Sequence, residues 1–270
     1  MSSNGFSKNR LLRKIEEAKR KRRKLFAAFL TLGYPDLKST AKLIEGLSQK
    51  GVDIIELGFP FSDPLADGPT IQFSSESALK RGVTLNGAFQ MVRHLRRQGV
   101  ETPLIFFSYL NPIFHSGAAQ FPGRLKEAGF DGLIVPDCPP EEDPSLWEAC
   151  EKSGVAPVFL VTPTTTMERA RKIFARSKGF IYYVSVRGVT GARGNVPVDL
   201  GSNLRKLKRL TRRPILVGFG VSSPRQVKAI SRLSDGVIVG SGIIDRIRKS
   251  KGRLHPVFSY MGSLLRSLRN

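Results

Sequence analysis

The chain has 270 residues, enough for one large core, and 40% of them are hydrophobic, an ordinary globular content. Two cysteines, Cys138 and Cys150, are too few for a disulfide framework, which points to a reducing cytoplasm; no apolar run approaches the ~20 residues that a membrane span needs. Forty-four Lys and Arg against 22 Asp and Glu leave a formal charge of +22, a field that attracts phosphates, nucleic acid and acidic surfaces. The basic residues are spread over most of the helical segments, with no aromatic-interleaved patch, so nucleic-acid binding stays a secondary reading with Lys19–Lys24 its best candidate.

In chain order, Leu11, Leu12 and Ile15 predict an extra helix ahead of the first strand, placed to close the floor of a barrel. Its basic end, Lys19–Lys24, runs into the apolar Leu25–Leu30. The pair imitates a signal peptide, but the basic part comes late and no small-residue cleavage site follows. Strand-like runs lie near 25–31, 53–58, 103–108, 132–136, 156–162, 180–185, 214–218 and 235–239. Amphipathic helices fill the gaps, as at 38–50, 85–99, 141–153, 167–177 and 224–233. Thr166 and the run Ser222-Ser223-Pro224 supply helix caps and an early proline. The ends, 1–10 and 251–270, are weakly patterned. Eight strands alternating with helices predict an α/β protein, a (β/α)8 TIM barrel with an extra N-terminal helix, as a single domain over 1–270 with its barrel core at about 24–250. An open doubly wound sheet is the structural alternative.

The most informative stretch is Asp53–Pro69. Strand alternation puts Ile54, Glu56 and Gly58 on one face. A lone carboxylate on an apolar strand is costly to bury unless it is paired or used. The strand opens into a proline-rich loop with two more acids, Asp63 and Asp67, at the strand end where parallel α/β folds place their chemistry. Three glycine turns follow the last three strands: Gly188–Gly194, Gly218-Phe219-Gly220, and Gly240-Ser241-Gly242 opening a helix. Backbone N–H groups at such turns and helix starts suit a phosphate dianion. No lysine falls at the carboxyl end of a predicted strand, which argues against Schiff-base chemistry. His94, His115 and His255 are scattered, with no ligand pair and so no expected metal site. Carboxylates, a tyrosine or two and a phosphate cradle remain, and they suit general acid–base lysis of a phosphorylated substrate.

The segment Ile54–Pro69, supported by Gly188–Arg193, Gly218–Val221 and Gly240-Ser241, resembles the signature of the tryptophan synthase alpha subunit family, and the likeness covers roughly residues 24–250. That resemblance implies retro-aldol cleavage of indole-3-glycerol phosphate to indole and glyceraldehyde 3-phosphate. Glu56 matches the family's general acid/base, Asp67 the second carboxylate at the ring N–H, and Tyr182 a tyrosine beside the glutamate. Gly191, Gly220, Gly240 and Ser241 match the phosphate site. Phe29, Phe107, Tyr109, Ile134, Leu160, Thr190, Phe219 and Ile238 are expected to wall the indole. Asp63, Asn111 and Pro139, with Phe107 and Pro136 nearby, are expected to face a beta subunit in an alpha2beta2 heterotetramer. Pyridoxal phosphate is expected only on that partner, and no cofactor here.

Competing readings remain for each candidate: a buried ion-pair partner for Glu56, an Asp-Gly turn for Asp67, core packing for Tyr182 and the pocket aromatics. A weakly active barrel that mainly activates its partner is the alternative function. Arg187 departs from the smaller residue expected there.

Overall fold

The computed structural model describes residue 6 and residues 8–185, 197–218 and 220–269. Its elements run α1 (Arg10–Arg20), β1 (Leu25–Thr31), α2 (Leu37–Gln49), β2 (Ile54–Gly58), α3 (Pro69–Lys80), α4 (Leu85–Arg97), β3 (Leu104–Phe107), α5 (Leu110–His115), α6 (Phe121–Ala128) and β4 (Gly132–Ile134). They continue with α7 (Pro144–Ser153), β5 (Ala156–Pro157), β6 (Phe159–Val161), α8 (Met167–Arg176), β7 (Ile181–Val184), α9 (Leu200–Lys208), β8 (Ile215–Gly218), α10 (Pro224–Ser231), β9 (Gly236–Val239), α11 (Ser241–Lys249) and α12 (His255–Arg269).

All strand pairs are parallel, in the order β5-β4-β3-β2-β1-β9-β8-β7-β6. The two ends of that list are consecutive in the chain, so the sheet curls into a nearly closed TIM barrel with helices outside. The strand expected at 156–162 is broken in two because Pro157 has no N–H to give to the ladder. Val158 N, donating to Leu133 O at 3.0 Å, carries the chain across the break. Strands covered on both faces read as continuous apolar runs, and β1 is buried at every residue.

The expected extra helix is present as α1. Its Leu11, Ile15 and Ala18 join Ala27, Ile54, Ile105 and Ile134 in one buried cluster, so α1 plugs the barrel floor. Gly132 and Gly179 make room for it: a Cβ at either would come within 3.4 and 3.0 Å of Leu11 Cδ2.

Three aspartates at the floor share one device. Asp53, Asp131 and Asp235 each precede a strand and accept a backbone N–H from the strand beside it, from Phe26 (2.9 Å), Leu104 (3.1 Å) and Ile215 (2.9 Å). Each also pairs with a cation: Arg23 at 2.6 Å, Arg96 at 2.8 Å and Lys208 at 2.7 Å.

The caps expected at Thr166 and Ser223 form, the latter as a full capping box with Gln226. The helix expected at 141–153 starts later, because Asp143 caps it and Pro144 takes its first position. The weakly patterned end is corrected: residues 255–269 form α12, which buries Val257, Met261, Leu264, Leu265 and Leu268. Phe258, Tyr260 and Gly262 interleave with that stripe and blur its period in the sequence. Helices α3, α5, α6 and α9 fill gaps that were expected to be helical without bounds of their own.

Candidate active site at the barrel mouth

Glu56 sits near the carboxyl end of β2, flanked in register by Phe29 on β1 and Ile105 on β3. It shares the interior face with Ile54. The side chain is fully buried, and among the described residues neither carboxylate oxygen has a hydrogen-bond partner. A carboxylate so placed is strongly penalised, and burial pushes its pKa up to about 8. Among the described residues no cation pairs with Glu56, as the competing reading of a buried ion pair would require. Buried polar groups are normally satisfied, and an orphan at a strand end marks a place where something else completes the bonding.

Asp67 closes the loop between β2 and α3. Burial lifts its pKa to about 6, while the Tyr109 hydroxyl, donating to Oδ2 at 3.1 Å, holds it down. The same hydroxyl accepts from Ala66 N at 3.0 Å, so Tyr109 pins both the carboxylate and its backbone. The loop is further tied by Asp67 N to Pro64 O (3.0 Å) and by Gln72 Nε2 to Asp67 O (2.9 Å). Tyr109, expected as a pocket wall, thus has a second task that the sequence did not reveal. Tyr182 on β7 is buried in the barrel interior; burial, with the charges of Glu56 and Asp67 added, drives its phenol well above the usual range.

Three glycines supply space for these rings. A Cβ on Gly58 would lie 2.4 Å from the Phe29 ring, and one on Gly218 would lie 2.6 Å from the Tyr182 hydroxyl. A Cβ on Gly240 would lie 3.3 Å from Phe29 Cβ. Glycines on the interior parity of strand ends were the available signal for this close packing. Phe29 and Phe107 meet edge to face at 5.6 Å. Phe107, Ile134, Leu160 and Ile238 line the interior with Tyr182. Of the expected apolar wall, Phe107, Ile134, Leu160 and Ile238 thus share the barrel interior and Tyr109 reaches Asp67, while Thr190 and Phe219 lie outside the described residues.

At the end of β9, which pairs with β1, Gly240 precedes α11 and Ser241 is its first residue. Among the described residues no side chain caps this start and no acid lies in its first turn; Ile243 N turns back to Gly240 O at 2.9 Å, and the N–H groups ahead of it and the positive end of the dipole suit an anion. Gly220 follows β8 at φ +71°, a left-handed conformation that glycine takes at low cost. Gly191, Arg187 and the rest of the Gly188–Gly194 turn lie outside the described residues.

Asp63 is exposed on the same loop as Asp67, beside Leu65, which is 95% exposed. Asn111 is exposed on α5 and Pro139 half-buried after β4. Asp137, which sequence reasoning missed, joins these two loops by accepting from Leu110 N at 2.9 Å. His94, His115 and His255 are all exposed.

The family model described as tryptophan synthase alpha chain matches residues 15–261. The chain belongs to the tryptophan synthase alpha chain family. A relative from Geotalea daltonii is 44% identical over 247 residues, covering 91% of this chain and 93% of its own. Another, from Dehalococcoides mccartyi, is 43% identical over 255 residues, 94% of this chain and 99% of its own. A solved tryptophan synthase alpha subunit from Legionella pneumophila superposes with a TM-score of 0.90 at 33% identity, covering 98% of this chain and 100% of that one. An aminoacrylate-bound tryptophan synthase from M. tuberculosis gives 0.86 at 30% identity, covering 97% and 100%. The activity expected from the sequence follows with tryptophan synthase alpha chain membership: a lyase of tryptophan biosynthesis that cleaves indole-3-glycerol phosphate. A beta-subunit partner, in general terms, goes with the same family. Among the described residues no helix is long and apolar enough to cross a membrane.

Proposed function

We propose that Glu56 carries the proton transfers of the cleavage, on the strength of one observation: it is a fully buried carboxyl at the barrel mouth with no partner for either oxygen among the described residues. With its pKa near 8 it enters the reaction protonated at neutral pH. It gives that proton to indole C3, and the resulting carboxylate takes the proton of the side-chain hydroxyl as the carbon–carbon bond breaks. A group titrating close to the working pH serves both steps. Asp67, with a pKa near 6, is mostly ionised at pH 7 and accepts the ring N–H as positive charge develops there. Two carboxyl groups held in different protonation states by their surroundings divide the acid and anion roles. Tyr182 packs beside them, and Phe29, Phe107, Tyr109, Ile134, Leu160 and Ile238 exclude water from the ring.

The substrate phosphate is assigned to Gly220, Gly240 and the α11 start at Ser241, with Gly191 expected to complete the cradle. The loops carrying Asp63, Asn111 and Pro139 are assigned to a beta subunit in an alpha2beta2 heterotetramer. Pyridoxal phosphate belongs to that partner, this chain needs no cofactor, and the cytoplasm is its compartment. The exposure of Asp63 and Leu65 next to a catalytic acid supports this reading, since a loop that touches both partner and substrate can couple binding to chemistry.

Indole release, measured with and without a beta subunit, tests the assignment. Slow cleavage by the isolated chain, acceleration by the partner and abolition by Glu56→Gln are expected. Wild-type-like release by Glu56→Gln would remove Glu56 from the chemistry.

A further inference from the structure

The lyase reaction leaves the charge of +22 unexplained, and much of it converges at the end of the barrel opposite the active site. A cleft of about 1050 Å³ opens there between α1, α8 and α9. Nine cations line it, Lys19, Arg22, Arg23, Lys24, Arg171, Lys178, Lys208, Arg212 and Arg213, against two carboxylates, Glu16 and Asp235. Helix macrodipoles account for part of this, because cations in the last turn of a helix complement its carbonyl end, as Lys19 and Lys208 do. They do not account for Arg22, Arg23, Lys24, Arg212 and Arg213, which lie in the connections outside the helices.

Several of these charges are already used. Arg23 pairs with Asp53, Lys208 with Asp235 and Lys178 with Glu151, while Lys24 Nζ donates to Ser234 O at 2.7 Å. Among the described residues no carboxylate lies within 4.0 Å of Lys19, Arg22, Arg171 or Arg212. Arg22 is also one of two non-glycine residues with positive φ among the described residues, at +50°, in the turn that ends α1. Like charges crowded over an apolar floor of Leu12, Ile15, Leu25 and Pro214 repel one another unless an anion lies among them.

We propose that this floor cleft binds a compact polyanion of linked phosphates, either free polyphosphate or the phosphate tail of a nucleotide. The number of cations exceeds what one phosphate can engage, and guanidinium forks suit phosphate oxygens. The one aromatic in the lining, Phe174, is buried, so bases find no surface to stack on, which disfavours single-stranded nucleic acid as the ligand.

Calorimetry on the full chain tests this, with glycerol 3-phosphate saturating the active site so that only the floor is read. Sodium tripolyphosphate should bind, more weakly as salt rises, and inorganic phosphate should bind at least about tenfold more weakly than tripolyphosphate, a difference of about 1.4 kcal/mol. The Arg22→Ala/Arg212→Ala variant should lose about tenfold in affinity while indole release stays at the wild-type rate. Arg171→Ala, on an exposed helix face, gives a second reading if the double variant folds poorly. ATP binding as tightly as tripolyphosphate identifies a nucleotide's tail as sufficient, and tripolyphosphate binding far better than ATP identifies the free anion. Oligouridylate or oligo-aspartate binding without tripolyphosphate binding, or tripolyphosphate affinity unchanged in the variants, would overturn the proposal.

Discussion

The two ends of the barrel treat the same side-chain chemistry in opposite ways. At the floor, Asp131 is buried, accepts Leu104 N and pairs with Arg96 at 2.8 Å. Asp53 and Asp235 repeat the arrangement. At the mouth, Glu56 is equally buried and has no partner among the described residues. A satisfied carboxylate at the floor fixes strand register and holds α1 and the α4–β3 turn in place. An unsatisfied one at the mouth is left with a raised pKa and bonding capacity to spare. The floor is built for stability and the mouth for chemistry, which is the division expected of a barrel whose reactions occur at the carboxyl ends of its strands.

Substitution at Glu56 and Asp131 separates the two regimes. Glu56→Gln should cut indole release by ~10²–10⁴-fold, the cost of removing a positioned acid/base. The same change should stabilise the fold. Burial raises the folded pKa from the ordinary 4.5 to about 8, so the favourable contribution of the protonated acid is fully present below pH 4.5 and is lost as pH rises toward 8. Thermal melts of wild type and variant should therefore diverge across that window, with the glutamine form the more stable at its upper end by on the order of a few kcal/mol. Equal melting profiles would mean that Glu56 is solvated or paired in solution.

Asp131→Ala is the mirror image. It removes the carboxylate from Arg96, whose pKa burial has already pushed down to about 10 and which keeps only the carbonyls of Gly129, Val100 and Thr102, and it takes the acceptor from Leu104 N. Denaturant unfolding should show a loss of about 3–5 kcal/mol, with indole release per folded molecule unchanged. Loss of activity without loss of stability would erase the contrast between floor and mouth.

Smaller effects sharpen the picture of the mouth itself. Ser241→Asp puts a negative charge at the open start of α11, and calorimetry with glycerol 3-phosphate should show binding weakened by about tenfold, a difference of ~1.4 kcal/mol. Tyr109→Phe should have the mildest effect. It deletes the hydrogen bond that holds the Asp67 pKa down, so that pKa rises above about 6 and the acidic limb of the pH–rate profile moves to higher pH. A profile that stays in place would return Tyr109 to the role of pocket wall alone.

Much of the site was legible because its signals are local. The acid on an apolar strand, the proline-rich loop with its acids and the glycine turn opening a helix all sit within a few residues, and strand alternation aims Glu56 inward without further information. Tyr109 was read as a wall because its hydroxyl meets Asp67 across 42 residues, a contact with no trace in either neighbourhood. Asp137 went unnoticed for the same reason, since its partner Leu110 N is 27 residues away. In α12 the apolar stripe is present, but aromatic neighbours obscured its period.

The sequence by itself determined the order of strands and helices, the single inward acid of β2 and the apolar character of the barrel interior, because periodicity and burial act residue by residue. Only the tertiary structure decided which carboxylates are satisfied and which are not. That depends on whether closure of the barrel brings a cation or a backbone N–H to each one. Closure brings Arg96 to Asp131 and, among the described residues, nothing to Glu56, and this difference in solvation separates a structural acid from the one proposed to react.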